Sequence, residues 1–139
     1  ADAYPAAGLA PPPGDPLRPL YYRWMAQITN TLQSEFRAWF YPHEFVDDPS
    51  LADHVKAALG VRLTASFQRI SDQLGDRPWL LESGFSASDL YLLMMTRWGR
   101  TLPTPAREIG GLGAHAERVL ARPAVQQALK AEGLEAPFV

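Results

Sequence analysis

The clearest pattern in the chain is a long run of apolar residues that recur every third or fourth position from about residue 17. This spacing over 17–40 predicts an amphipathic helix of about six turns. Asp15 is placed to cap its start and Pro16 suits its first position, while Pro42 in "YPHEF" ends it. The apolar stripe is Leu17, Leu20, Tyr21, Trp24, Met25, Ile28, Leu32, Phe36, Trp39 and Phe40.

Four further segments have the same helical spacing. The second helix is predicted to begin at a capping box of Ser50 and Asp53 and to end at Gly75. The third runs from Ser86 to about Arg100. A fourth covers about 106–121, and a fifth runs from Pro123 to Glu132. No segment alternates with period two, so the predicted fold class is all-α, a single domain of five helices.

The stretch "GFSASDLYLLMMTRW" at 84–98 places a carboxylate at the start of the most apolar helix. With Ser86 as the N-cap, Asp89 is the third helical residue, which is the spacing of a capping box. Phe85 and Leu90 then have the spacing of a hydrophobic staple. The next turns are apolar on nearly every side, so this helix is predicted to lie in the core. Losing such a cap costs about 1 kcal/mol, and more where the carboxylate is buried and its partners are left unpaired.

Proline dominates the start of the chain, with six of the 13 prolines in the first 19 residues. The stretch "YPAAGLAPPPGDP" favours an extended path over a helix. We therefore expect an arm or linker at 1–14 and the helical domain at 15–139.

The composition of the chain argues against several classes of function. A net charge of −2 gives no electrostatic reason to expect nucleic acid or an anionic membrane as a partner. No apolar run approaches the roughly 20 residues that span a bilayer. The absence of cysteine excludes disulfides and zinc–thiolate sites in this chain, and it fits a cytoplasmic protein.

One cluster of possible metal ligands occurs in "YPHEFVDD". It contains His43, Glu44, Asp47 and Asp48, but Pro42 and Pro49 favour a loop in which these side chains do not share a face. A solvated acidic loop is expected there, and no metal site. His115 is expected to be an ordinary helix residue.

Three segments in order resemble the C-terminal helical domain of bacterial cytosolic glutathione S-transferases. They are "ADAYPAAGLAPPPGDPLRPLYYRWM", "LGDRPWLLESGFSASDLYLLMMTRW" and "RPAVQQALKAEGL", and the resemblance spans essentially the whole chain. It implies a five-helix bundle in which 1–14 links to a thioredoxin-like N-terminal domain. In the family that missing half binds and activates glutathione, so this chain alone is expected to hold no cofactor and no catalytic residue.

The resemblance also implies a hydrophobic cleft for the second substrate. Its candidate residues are Gln33, Ser34, Phe36, Trp39, Phe40 and Trp98. In some bacterial members a His–Lys pair takes the positions of Gln33 and Ser34 and contacts the glutathione sulfur. An amide and a hydroxyl cannot act as a base near neutral pH. Periodicity equally favours core packing for Phe36, Trp39 and Trp98, and it favours the core for Tyr91 and Met95.

Two functions remain open from the sequence. In the first, the chain is part of an enzyme that conjugates glutathione to small apolar electrophiles, and it supplies the electrophile-binding wall. In the second, it is a non-catalytic module for protein interaction or ligand binding. The resemblance implies a homodimer or other self-association, with glutathione and an electrophile as partners of the longer protein.

Overall fold

Five helices follow one another along the chain, joined by three irregular connectors at 41–51, 75–86 and 99–111 and by a short turn at 121–122. The structure is a computed structural model that describes residues 1–139. Helix α1 is continuous through Arg18–Gln27, a π-helical segment Ile28–Gln33, and Ser34–Phe40. It is followed by α2 (Ala52–Leu74), α3 (Ala87–Trp98), α4 (Leu112–Leu120) and α5 (Pro123–Ala131). The pairing of Leu81 with Gly84 is an isolated bridge, so the all-α prediction is confirmed.

Helix α3 lies between two groups of buried side chains. On one side, Leu92 and Met95 join a large core with the apolar stripes of α1 and α2. On the other side, Leu93 packs with residues of α4 and α5 in a smaller core. The core stripe of α1 comprises Trp24, Ile28, Leu32 and Phe36, and that of α2 comprises Leu63, Phe67, Ile70 and Leu74. The predicted central position of the third helix follows from its apolar residues on both sides.

Two helix starts differ from the sequence expectation. Asp48, rather than Ser50, caps the turn before α2, because its carboxylate accepts the Ser50 N–H at 2.9 Å. This bond holds the pKa of Asp48 below its usual value. The fourth helix begins at Leu112 instead of about residue 106, since Gly110 adopts a positive φ of 51° that breaks the helical path.

The proline-rich arm packs against the domain through a buried arginine. The guanidinium of Arg18 donates to the Pro11 carbonyl at 2.5 Å and to the Asp2 carboxylate at 2.5 Å. The carbonyl of Leu9 accepts the first N–H of α3, from Ala87, at 2.7 Å. The bond to Arg18 lowers the pKa of Asp2. The arm is therefore tied to the N-terminal ends of both α1 and α3.

The carboxylate of Asp89 is fully buried at the start of α3, and four groups bond to it. The Ser86 backbone N–H and hydroxyl bond to Oδ2 at 2.8 and 3.1 Å, within a capping box. Oδ1 accepts the Leu80 N–H at 2.9 Å and lies 2.9 Å from Nε2 of His115. A carboxylate only accepts hydrogen bonds, so Nε2 carries the hydrogen.

His115 is thus a partner of the cap rather than the ordinary helix residue expected from the sequence. It is fully buried on α4, 26 residues from Asp89 along the chain. The carbonyl of Leu80, whose N–H bonds to Asp89, accepts from Nε1 of the buried Trp24 on α1 at 3.1 Å. The carboxylate therefore connects α3 to α4 directly and to α1 through Leu80.

We expect Asp89→Ala to lower the free energy of unfolding by about 3–5 kcal/mol, because it leaves several buried donors unpaired. Ser86→Ala, which removes only the N-cap hydroxyl, is expected to cost about 1 kcal/mol. Urea unfolding followed by circular dichroism measures both. If the alanine variant does not fold, Asp89→Asn, which keeps the side-chain shape, is measured in its place. Equal costs for the Asp89 and Ser86 variants would contradict the wider role of Asp89.

Two glycines offer a matched test of packing. A Cβ at Gly99 would lie 2.6 Å from Cβ of Ala106 and 3.1 Å from the Phe67 ring. We expect Gly99→Ala to cost about 1–3 kcal/mol through this overlap. At Gly60, inside α2, the nearest atoms would be at 3.7 Å, which is ordinary contact. Gly60→Ala is expected to stabilise the domain by about 0.5–1 kcal/mol. Thermal unfolding should give the two opposite signs; a shared sign would refute this account of the packing.

Candidate functional site

Three aromatic rings meet where the end of α1 passes the end of α3. The ring of Phe36 stacks on Phe40 with centroids 5.7 Å apart and meets Trp98 edge-on at 5.8 Å. Phe40 and Trp98 also meet edge-on, at 5.9 Å. Such edge-to-face and stacked pairs are the favoured arrangements of aromatic rings. The cluster is buried at Phe36 and reaches solvent at Phe40, which is 41% exposed.

An open cleft of about 610 Å³ lies over the exposed side of this cluster. That volume falls within the usual range for small-molecule sites. Helix α1 provides most of its wall, and Trp98 at the end of α3 closes one side. The lining residues are Thr29, Gln33, Ser34, Arg37, Phe40, Tyr41 and Trp98.

Four of the six residues expected at a cleft line this one, and two do not. Gln33, Ser34, Phe40 and Trp98 are in the lining. Phe36 is fully buried and packs behind the aromatic wall, because it belongs to the core stripe of α1. Among the residues expected in the core, Met95 is fully buried, whereas Tyr91 is half-buried and its hydroxyl donates to Oε1 of Gln33.

Trp39 faces a different surface from Gln33 and Ser34. It is 8% exposed and lines a second groove of about 700 Å³ between α1, α2 and the loop at 101–103. The Lys56 ammonium lies 4.6 Å from the centre of its ring, a cation–π contact. Phe40 lines both grooves, so it separates them.

Three residues that line the cleft were not predicted from the sequence. Thr29 and Arg37 lie four residues before and after Gln33, so they share its helix face. Extending that face by one turn in each direction would have found both. Tyr41 directly follows the last residue of α1, where the backbone leaves the helical path with φ −125° and ψ 55°, so the helical spacing does not predict its place in the cleft.

Comparison with known proteins connects this geometry to one family. No family model matches the chain. Glutathione S-transferase GstA of Escherichia coli O157:H7 is 28% identical over 135 residues, which is 97% of this chain and 64% of that protein. Glutathione S-transferase GST-4.5 of Xanthomonas campestris pv. campestris is 28% identical over 96% of this chain and 66% of its own length. The chain thus spans slightly less than two thirds of these relatives.

Solved structures agree with the sequence relatives. A beta-class glutathione S-transferase of Sphingomonas chungbukensis matches with a TM-score of 0.83 and 29% identity over 97% of this chain and 64% of that one. A sphingomonad glutathione S-transferase complexed with glutathione matches with a TM-score of 0.81 and 30% identity over 97% of this chain and 64% of that one. Over nearly its whole length the chain is similar to the helical C-terminal part of glutathione S-transferases.

The π-helical segment of α1 ends inside the cleft. It covers Ile28–Gln33, so Gln33 is its last residue and Ser34 begins the following α-helical turns. The Ser34 hydroxyl donates to the Asn30 carbonyl at 2.6 Å, inside the same helix. Such interruptions are frequent at functional sites. Here the interruption lies where the resemblance places the cleft.

Two acidic residues of the loop after α1 form hydrogen bonds within the protein. Glu44 pairs with Arg37, and Asp48 caps the turn before α2. No group of three or more His, Asp or Glu side chains is arranged to hold a metal ion. None of the helices combines the length and the apolar character needed to cross a bilayer.

Proposed function

We propose that this domain supplies the electrophile-binding wall of a glutathione S-transferase, at the cleft between α1 and Trp98. The observation that carries the proposal is an aromatic-walled cleft of about 610 Å³ in a chain whose relatives are glutathione S-transferases. Phe40 and Trp98 offer ring faces and edges to a small apolar molecule, and the buried Phe36 holds both rings in place.

In this proposal the chemistry that activates glutathione lies in the part of the longer protein that precedes 15–139. The cleft lining contains no His, Asp or Glu that could take a proton from a thiol near neutral pH. Glutathione is then a co-substrate of the longer protein, bound mainly outside this chain, and 1–14 is the link between the two domains. A homodimer in the cytoplasm belongs to the same proposal, because the relatives on which it rests are bacterial glutathione S-transferases.

A ligand-binding module without catalysis is the second candidate. It is supported by the hydroxyl of Ser34, which already donates within its own helix. With that hydrogen engaged, this wall can hold an aromatic molecule without taking part in any reaction. The two candidates differ in what the longer protein does, and they share the binding site.

Binding of an unreactive aromatic molecule tests the shared site. We expect 3,5-dinitrotoluene to bind the 139-residue chain and to quench tryptophan fluorescence, since Trp98 lines the cleft. Phe40→Ala should weaken binding about tenfold by removing one wall of the cleft. Phe45→Ala is the matched control, because Phe45 is 54% exposed and lies outside the cleft. Calorimetry gives the dissociation constants, and equal losses in both variants would reject this cleft as the site.

Activity of the isolated chain tests where thiol activation resides. We expect no conjugation of glutathione to 1-chloro-2,4-dinitrobenzene above the uncatalysed rate, because the cleft offers no base. The absorbance of the conjugate follows the reaction. Fusion to the thioredoxin-like domain of a related transferase is expected to restore turnover if the longer protein is an enzyme. A turnover typical of transferases from the chain alone would place the activating group within it.

A further inference from the structure

Two of the three hydroxyls that line the cleft, those of Thr29 and Ser34, have no hydrogen left for a ligand, while no protein bond engages the third, on Tyr41. That of Thr29 donates to the Met25 carbonyl at 2.8 Å, and that of Ser34 donates to the Asn30 carbonyl at 2.6 Å. Both bonds lie within α1 and do not depend on anything in the cleft. The hydrogen-bond donors available to a ligand therefore belong to the remaining polar residues of the cleft.

Only one end of the side-chain amide of Gln33 has a hydrogen-bond partner in the protein. Its side-chain carbonyl accepts the hydroxyl of Tyr91, which reaches across from α3. An amide group presents a carbonyl acceptor at one end and two N–H donors at the other. Since the carbonyl end is engaged and the NH₂ end makes no protein bond, the NH₂ group is the part of Gln33 that remains for a ligand.

Arg37 lies one helical turn beyond Gln33 on the same face. One of its terminal nitrogens donates to Glu44, whose carboxylate raises the pKa of Arg37. A guanidinium has five N–H donors, so most of them stay free. Glu44 is not part of the cleft lining, and no other acid is. Arg37 is therefore the one charged side chain in the lining, and Glu44 neutralises part of its positive charge.

We propose that the cleft selects aromatic molecules that carry a negatively charged acceptor group, such as a carboxylate. The ring lies against Phe40 and Trp98, and the anionic group bonds to the NH₂ of Gln33 and the guanidinium of Arg37. Tyr91 is a positioning residue, since its hydroxyl holds the amide of Gln33 with the donors toward the ligand. This inference rests on the proposed function of the same cleft and adds the class of substrate.

A pair of ligands of nearly the same shape tests the selection. 3,5-Dinitrobenzoate carries a carboxylate where 3,5-dinitrotoluene carries a methyl group. We expect the 139-residue chain to bind the benzoate about tenfold more tightly in about 20 mM salt, by calorimetry. The preference should shrink in about 300 mM salt, because an exposed guanidinium is screened. Dinitrotoluene binding should not respond to salt in this way.

Four variants then assign the preference to residues. Arg37→Gln and Tyr91→Phe should each lower the ratio of the benzoate affinity to the dinitrotoluene affinity several-fold. Glu44→Gln should raise it, because it frees the guanidinium; a folding defect would not produce such a gain. Arg23→Gln removes the same charge from the exposed side of α1 away from the cleft, and it should change neither ligand.

The possible outcomes test separate parts of the proposal. Equal affinity for the two ligands overturns the anion preference, while Phe40-dependent binding of dinitrotoluene still supports the cleft itself. A preference that survives Arg37→Gln overturns the assigned anion site. A preference unchanged by Tyr91→Phe removes the positioning role of Tyr91. Failure of both ligands to bind overturns the proposed function together with this inference.

Discussion

The buried carboxylate of Asp89 is the constraint on which the arrangement of the helices depends. A charged group without water must have its bonds supplied by the protein, or its burial costs several kcal/mol. Those bonds come from Ser86 at the start of α3, from Leu80 in the connector before it, and from His115 on α4. Of these bonds the one from His115 reaches α4, and it helps to fix the position of α4 against the start of α3.

The cleft lies at the other end of the same helix. Helix α3 rises about 1.5 Å per residue from its cap, and its last residue is Trp98. Its middle turns are held between the two cores by Leu92, Leu93 and Met95. The network at Asp89 and the packing along α3 therefore determine where the indole of Trp98 stands against α1.

Helix α1 serves the core and the cleft with adjacent faces. Its buried stripe runs through Phe36 to Trp39, while Thr29, Gln33 and Arg37 lie on the face next to it. The aromatic residues near its end were divided between the two roles only by the packing of neighbouring helices. Phe36 lies in the core, Trp39 lines a groove against α2, and Phe40 lies at the boundary between that groove and the cleft. Periodicity alone could not separate them, because all three belong to the apolar stripe that the sequence predicts.

The order and number of the helices, the turns that end them and the cap on the central helix follow from the sequence by itself, because each depends on residues within a few positions of one another. The partners of Asp89 and Gln33 are decided by the tertiary structure. His115 is 26 residues from Asp89, and Tyr91 is 58 residues from Gln33. Such pairs leave no local pattern, since they form only when packed helices bring distant polar groups together. The physical reason is packing: a polar group that is taken out of water in part or in full gains from a protein partner, and only the folded chain determines which one lies within reach.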